Sequence, residues 1–124
     1  MKHILVIDDE MFIRNIIKVN LEKIGYKITL ANDTYEAENY LEEGVKYDLI
    51  ITDIVIPIRN GLDFIEILIE KFKIESKKIL ILSARKLTKD IEVVEKYNLN
   101  NYLLKPFKLE ELKEKIEKIL KNDL

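Results

Sequence analysis

Four short apolar runs in this chain each end in a polar side chain. The runs and the polar groups that follow them are 4–7 with Asp8 and Asp9, 49–51 with Thr52 and Asp53, 79–82 with Ser83, and 102–104 with Lys105. Runs this short, separated by helical patterns, predict parallel strands that are buried on both faces. Ligands bind at the carboxyl ends of the strands in an open α/β sheet. We therefore expect the carboxylates, the hydroxyl and the ammonium in one pocket, which suits a divalent cation and a transferable phosphoryl group.

Strand and helix patterns alternate five times, which predicts an α/β fold with a parallel sheet and helices on both faces. Gly25 and Gly44 stand where left-handed helix caps are needed, and Thr88 is the predicted N-cap of the fourth helix. Residues 1–124 are predicted to form one domain. The expected strands span about 3–7, 27–30, 49–52, 78–82 and 101–104, and the expected helices about 11–24, 35–43, 62–72, 89–97 and 109–120.

The composition argues against several classes of function. A net charge of -2 gives no electrostatic support for nucleic-acid binding. The chain has no cysteine, which excludes disulfides and thiol catalysis, and its only histidine, His3, has no second histidine or cysteine to help it bind zinc. No apolar run has the length of a signal peptide core or a membrane span. We therefore expect a cytoplasmic protein that does not contact a membrane.

Asp8, Asp9 and Asp53 admit a structural and a functional interpretation. Asp8 or Asp9 could cap the following helix, and Asp53 could be an ordinary carboxylate at a strand-to-helix turn. Like charges in one pocket raise one another's pKa and cost stability unless a cation is present, which favours a site for a divalent metal. A carboxylate can also carry a phosphoryl group as an acyl phosphate. Asp53 is the candidate for that role.

Lys105 and Ser83 also have ordinary alternatives. Lys105 could be one of many surface lysines, but its place between an apolar strand and Pro106 favours an anchored side chain. Ser83 could simply begin a turn or cap a helix. Three carboxylates, one divalent cation and Lys105 together give a site near neutrality. An incoming phosphoryl group then meets two cationic centres, which is the electrostatic arrangement that phosphoryl transfer needs.

The whole chain resembles the receiver domains of two-component response regulators. The resemblance implies a flavodoxin-like fold with strand order 2-1-3-4-5 and five flanking helices. Where the family usually has Gly at the end of the fourth helix, this chain has Asn98, which tolerates the left-handed conformation. The motifs that carry the resemblance, in the family's order and spacing, are Val6-Ile7-Asp8-Asp9-Glu10, Asp53-Ile54-Val55-Ile56-Pro57 with Gly61, Leu82-Ser83-Ala84, and Lys105-Pro106-Phe107.

The resemblance implies a metal site for Mg2+ or Mn2+. In this family pattern Asp9 and Asp53 bind the metal directly, together with the backbone carbonyl of Val55. Asp8 acts largely through a bound water. The resemblance also makes Asp53 the phosphoacceptor, which takes its phosphoryl group from a histidine kinase or a histidine phosphotransfer protein. A receiver is a signalling module and not an enzyme in the usual sense, although it assists its own phosphorylation and dephosphorylation.

The resemblance implies roles for three more residues near the phosphoacceptor. The peptide bond between Lys105 and Pro106 is expected to be cis, which aims the Lys105 ammonium into the pocket. The Ser83 hydroxyl is expected to bond a phosphoryl oxygen after transfer. Tyr102 matches the aromatic residue that turns inward as the hydroxyl moves, although it could also be a half-buried strand tyrosine. The result is a population shift that signals to a downstream protein, whose identity the sequence does not reveal.

The expected docking surface for the phosphodonor lies on the rim of the pocket. Phe12 and Ile13 follow the acidic residues at the start of the first helix, and Pro106 and Phe107 lie across the pocket mouth. The resemblance implies that the kinase's helical bundle contacts this rim. Phe12 could instead be tucked against a neighbouring helix, since single exposed apolar residues are ordinary.

Two other functions compete with the phosphoacceptor interpretation. A small Mg2+-dependent phosphatase of the haloacid dehalogenase type also begins with an apolar strand and an aspartate nucleophile. Its motif needs a second Asp two residues after the first, where this chain has Glu10 after Asp8. The other alternative is a pseudo-receiver that only binds partners. Because the chain stops right after the fifth predicted helix, we expect no output domain within it.

Overall fold

The computed structural model describes residues 1–53, 61–83 and 95–121. These residues contain a five-stranded parallel sheet in the order β2-β1-β3-β4-β5, which confirms the predicted topology. The strands are β1 (His3–Ile7), β2 (Lys27–Ala31), β3 (Leu49–Asp53), β4 (Ile79–Ser83) and β5 (Tyr102–Leu104). The helices are α1 (Met11–Lys23), α2 (Thr34–Glu42), α3 (Gly61–Glu70) and a C-terminal helix (Leu109–Lys121), with a 3₁₀ turn at Ser76–Lys78 before β4.

The predicted fourth helix lies mostly outside the described residues. Its last three positions, 95–97, are helical, and the predicted cap Thr88 is not among the described residues. Asn98 follows this turn with a φ of 54°, the left-handed conformation expected there. Gly25 and Gly44 also have positive φ, at 103° and 86°, which confirms them as the residues that end the first two helices.

Three strands, β2, β3 and β4, extend one residue further than predicted, and the extensions of β3 and β4 matter for the site. β3 includes Asp53 and β4 includes Ser83, because Asp53 still pairs with Leu82 and Ser83 with Leu104. The sequence pattern ended β3 at Thr52 and β4 at Leu82. The backbone continues the ladder regardless of side-chain polarity, so the two polar groups belong to rigid strands rather than to loops.

The sheet is buried on both faces, as the unbroken apolar runs predicted. Alternate strand residues point to opposite faces, so one set packs with α2 and α3 and the other with α1 and the C-terminal helix. Fully burying one such aliphatic side chain stabilises the fold by about 1.5–3 kcal/mol. The buried groups on the first side include Leu5, Ile7, Ile50, Phe64 and Leu68, and those on the second include Ile4, Ile17, Leu21, Ile51, Leu112 and Ile116.

Candidate functional site

The strand register brings the predicted polar residues to one edge of the sheet. Asp8 directly follows β1, and Asp53 and Ser83 end β3 and β4. Lys105 directly follows β5, and its backbone N–H donates to the carbonyl of Ser83 at 2.7 Å. Because all of these strands are parallel, the four side chains share the carboxyl edge that the sequence predicted.

The Lys105 ammonium joins two aspartates at the centre of the pocket. Its Nζ donates to Asp8 Oδ2 at 2.9 Å and to Asp53 Oδ2 at 2.7 Å. Asp8 is fully buried and Asp53 is 6% exposed, so both carboxylates are largely shielded from water. The peptide bond between Lys105 and Pro106 is cis, as the resemblance implied. Lys105 is therefore a member of the pocket and not a free surface lysine.

Burial and hydrogen bonds shift the pKa values of Asp8 and Lys105. Burial raises the pKa of Asp8, although the Glu10 N–H and the Lys105 ammonium partly oppose that rise. Burial acts to lower the pKa of Lys105, but the hydrogen bonds to Asp53 and Asp8 outweigh it and hold that pKa above its ordinary value. Lys105 is consequently a cation at neutral pH.

Asp8 is held on every side. Its Oδ1 accepts from the Glu10 N–H at 2.9 Å, while its backbone N–H donates to the carbonyl of Ala31 at 3.3 Å. Its backbone carbonyl accepts from Arg14 Nη1 at 2.6 Å. The N-cap residue of α1 is Glu10, and its side chain makes no capping hydrogen bond. The Asp8 carboxylate accepts from the N–H of this N-cap residue. Sequence reasoning missed Arg14, which stands one helical turn after the acidic residues and reaches back to them.

An acidic cluster lies at the mouth of the pocket. Oxygen atoms of Asp8, Asp9 and Glu10 lie within 4.8 Å of one another, and Asp9 and Glu10 are exposed to solvent. Hard carboxylate oxygens of this kind are the donors that Mg2+ and Mn2+ prefer, and solvent access leaves room for the waters that Mg2+ keeps. The donor set therefore fits such an ion. Glu10 was not predicted as a candidate ligand, although it stands in the same motif. Val55, whose carbonyl was predicted to contribute, lies outside the described residues.

The two predicted switch residues lie on neighbouring strands. Ser83 is fully buried at the end of β4, whereas Tyr102 is 44% exposed on β5. Ile81, two residues before Ser83, pairs with Tyr102 in the ladder. The structure thus brings the serine to the pocket edge and places the tyrosine outside the core in this arrangement.

Three of the four predicted docking residues line a groove beside the pocket. Phe12 is 74% exposed, so the alternative that it is tucked against a neighbouring helix is wrong. Ile13, Pro106 and Phe107 line a cavity of about 520 Å³ between the start of α1 and the loop before the C-terminal helix, and Lys105 also lines it. Phe12 instead lines a separate groove along α1, together with Asn15 and Val19. The structure therefore brings three of the four predicted docking residues to one cavity, which Glu10 of the acidic cluster also lines.

Comparison with known proteins agrees with this geometry. A family model described as "Response regulator receiver domain" matches residues 4–117. Chemotaxis protein CheY1 of Helicobacter pylori is 32% identical, over 94% of this chain and 95% of its own length. The virulence transcriptional regulatory protein PhoP of Salmonella typhimurium is 30% identical over 99% of this chain, which spans about half (54%) of PhoP.

A solved structure gives the same result. The response regulator protein TrrA of Thermotoga maritima, determined in complex with Mg2+-BeF, superposes with a TM-score of 0.82 at 36% identity, covering 97% of this chain and all of TrrA. Among the described residues, no helix combines the length and the apolar character that crossing a bilayer requires.

Proposed function

The chain belongs to the response regulator receiver family, and on that premise we propose that it accepts a phosphoryl group on Asp53 and signals through a change of conformation. The donor is the phosphohistidine of a histidine kinase or of a histidine phosphotransfer protein. The observation that carries the proposal is the Lys105 ammonium held between Asp8 and Asp53 at 2.9 and 2.7 Å. We also propose that residues 1–124 act as a single receiver domain.

Burial favours Asp53 over Asp8 as the nucleophile. Both Asp8 oxygens already accept strong hydrogen bonds, from the Glu10 N–H and from Lys105, and the Asp8 side chain has no exposed surface. The Asp53 side chain keeps 8% of its surface exposed. In the transfer, an Asp53 oxygen forms the new O–P bond as the N–P bond of the phosphohistidine breaks, and the imidazole keeps the electron pair. The burial and the hydrogen bonds of Asp8 also disfavour a phosphatase of the haloacid dehalogenase type, in which Asp8 would be the nucleophile.

A divalent cation fits the proposal because the donor set suits it. Asp8, Asp9 and Asp53, with the carbonyl of Val55, would hold Mg2+ or Mn2+, and Glu10 is near enough to the first two to contribute through water. When bound, the ion neutralises charge on the phosphoryl oxygens. TrrA, which is similar over its full length, was solved in complex with Mg2+-BeF. The protein's own contribution is Lys105, which supplies a second, fixed positive charge at the acceptor.

The signalling step is proposed for Ser83 and Tyr102. A phosphoryl group on Asp53 adds charge and acceptor oxygens beside the end of β4, where the buried Ser83 lies. We propose that the hydroxyl bonds one of these oxygens and that Tyr102, now exposed on the adjacent strand, moves inward. The exposed surface of β5 would then differ between the two states, which is what a downstream protein can detect.

The phosphodonor is proposed to dock on the rim formed by Phe12, Ile13, Pro106 and Phe107. Ile13, Pro106 and Phe107 line one groove that Glu10 and Lys105 also border. Phe12 precedes Ile13 on α1 and is exposed to solvent. A helical partner that covers it would place a phosphohistidine at the pocket mouth and exclude water during transfer.

The test is the mass of the intact protein after incubation with Mg2+ and phosphoramidate, a small donor with an N–P bond. The wild type should gain one phosphoryl group that is lost in base, and Asp53→Asn should gain none. Asp63→Asn, which removes an exposed carboxylate on α3, is the matched control and should behave as the wild type. No mass gain in the wild type with either this donor or a phosphorylated kinase would favour the pseudo-receiver instead.

A further inference from the structure

We propose that Arg14 is a positioning residue that fixes the acidic loop after β1 for binding a divalent cation. The inference rests on the proposed function, because it concerns the same metal site. It starts from one contact: Arg14 Nη1 donates to the backbone carbonyl of Asp8 at 2.6 Å. This carbonyl belongs to the peptide that leads directly into Asp9, an exposed member of the acidic cluster and a predicted ligand of the ion.

The Arg14 contact completes the restraint of the loop. The Asp8 backbone N–H is held by the Ala31 carbonyl on β2, and its carboxylate by the Glu10 N–H and Lys105. The Asp8 carbonyl is the remaining polar group of this residue, and Arg14 Nη1 donates to it. With Arg14 in place, the peptide between Asp8 and Asp9 cannot rotate without losing a charge-assisted hydrogen bond. The backbone from which the Asp9 side chain extends is thereby held in one orientation.

The planar shape of the Arg14 guanidinium and its position on α1 suit it to holding the Asp8 carbonyl. Arg14 lies one turn into α1, whose backbone is fixed by packing of Ile17 and Leu21 in the core. Its own N–H donates to the Glu10 carbonyl at 3.0 Å, so the same residue contacts both ends of the acidic loop. A planar fork with five donors holds a carbonyl in a defined direction better than a flexible ammonium does.

Arg14 could affect metal binding through its charge or through its restraint of the loop. The two effects change the metal affinity in opposite directions, so one experiment distinguishes them. A cation beside the loop repels a divalent ion, so if Arg14 acted through its charge alone, its removal would tighten binding. If Arg14 positions the loop, its removal loosens Asp9 and weakens binding. Residues that orient metal ligands typically change metal affinity by about tenfold or more when they are replaced.

The experiment measures Mn2+ affinity by calorimetry and by the Mn2+ paramagnetic resonance signal, at a temperature well below the unfolding midpoint of each variant. We expect about tenfold weaker binding in both Arg14→Gln and Arg14→Lys. Arg14→Lys keeps the charge but not the fork, so failure to rescue identifies geometry as the cause. Lys18→Gln, which removes a cation one turn later on α1, is the matched control and should leave the affinity unchanged. Unchanged or tighter binding in Arg14→Gln overturns the proposal.

Amide hydrogen exchange provides a readout that needs no metal. The Glu10 N–H, which donates to Asp8 Oδ1, should exchange about tenfold faster in the Arg14 variants, while the core amide of Leu5 keeps its wild-type rate. An unchanged Glu10 rate contradicts the proposal. Should wild-type protein bind no Mn2+, the proposed metal function fails, while the exchange rates still decide the role of Arg14.

If neither Arg14 variant folds, a measurement on the wild-type protein still tests the proposal. In its nuclear magnetic resonance spectrum, a held guanidinium should give separate, slowly exchanging Nη–H signals for Arg14. A single averaged signal would show a freely rotating side chain and would overturn the proposal.

Discussion

Replacing Lys105 by Met should destabilise the protein, and the deficit should depend on both pH and divalent cations. Methionine keeps the aliphatic stem of Lys105 and removes its charge. The wild-type ammonium contacts Asp8 at 2.9 Å and Asp53 at 2.7 Å. Its loss leaves two carboxylates facing each other in a pocket where one is fully buried and the other nearly so.

The expected loss of unfolding free energy follows from the burial of the Lys105, Asp8 and Asp53 side chains. Removing one partner of a buried ion pair costs about 3–5 kcal/mol. The Lys105 side chain is 16% exposed, and the Asp53 side chain 8%, so water relieves part of the penalty. We therefore expect the lower end, about 3 kcal/mol of unfolding free energy at neutral pH. For a domain of this size that corresponds to a fall of about 10 °C in the unfolding midpoint.

The direction of the pH dependence follows from Asp8. Burial already raises its pKa above the ordinary 3.8, and loss of the cation raises it further. A carboxyl group with a raised folded-state pKa contributes stability that is present at low pH and is lost as pH rises through that pKa. The deficit of Lys105→Met should consequently be small near pH 4, grow as pH rises through the raised pKa of Asp8, and be complete at neutral pH.

Divalent cations should reduce the same deficit. With the ammonium gone, the carboxylates bind Mg2+ more tightly, and an ion at 100 times its Kd adds about 2.7 kcal/mol to stability. The assay is thermal unfolding followed by circular dichroism at several pH values, with Mg2+ and with a chelator. Lys108→Met, an exposed lysine three residues on, is the control and should show little change. A deficit that is the same at every pH and unaffected by Mg2+ would refute the electrostatic argument.

Three further predictions concern the metal, the phosphodonor and the fold. Asp9→Ala should weaken Mg2+ binding by at least about tenfold in calorimetry, and an unchanged affinity would remove Asp9 from the metal site. Phe12→Ala should slow transfer from the cognate histidine kinase about fivefold while phosphoramidate still reacts at the wild-type rate; equal loss with both donors would mean that Phe12 supports the pocket. Asp33→Ala should cost about 1 kcal/mol in thermal unfolding, because its carboxylate accepts from the Glu36 N–H at the start of α2 at 2.8 Å. The same loss in the adjacent Asn32→Ala would contradict a capping role.

The sheet and its polar edge could be predicted from the sequence for a physical reason. Strands that are buried on both faces are apolar along almost their whole length, so they leave short unbroken apolar runs. The shortness of these runs and the helical patterns between them distinguish them from buried helices. The parallel arrangement then brings the residue after each run to one edge. Asp8, Asp53, Ser83 and Lys105 were placed correctly on this argument alone.

Other features depend on side-chain reach and could not be predicted this way. The contact of Arg14 with the Asp8 carbonyl requires a particular rotamer and loop, and periodicity carries no information on either. The exposure of Phe12 was left open, because an apolar residue at a helix start packs or remains free according to its neighbours. The strand ends were misplaced at Asp53 and Ser83 since side-chain polarity does not stop backbone pairing.

The central claim is that Asp53 carries the phosphoryl group, and locating the modified residue tests it most directly. After incubation with Mg2+ and phosphoramidate, the acyl phosphate is trapped by reduction with borohydride, which converts the modified aspartate to homoserine. Tandem mass spectrometry of the peptides then identifies the position. The account predicts homoserine at position 53 alone, dependent on Mg2+. Homoserine at position 8 or 9, or a stable phosphoryl group elsewhere on the chain, would contradict it.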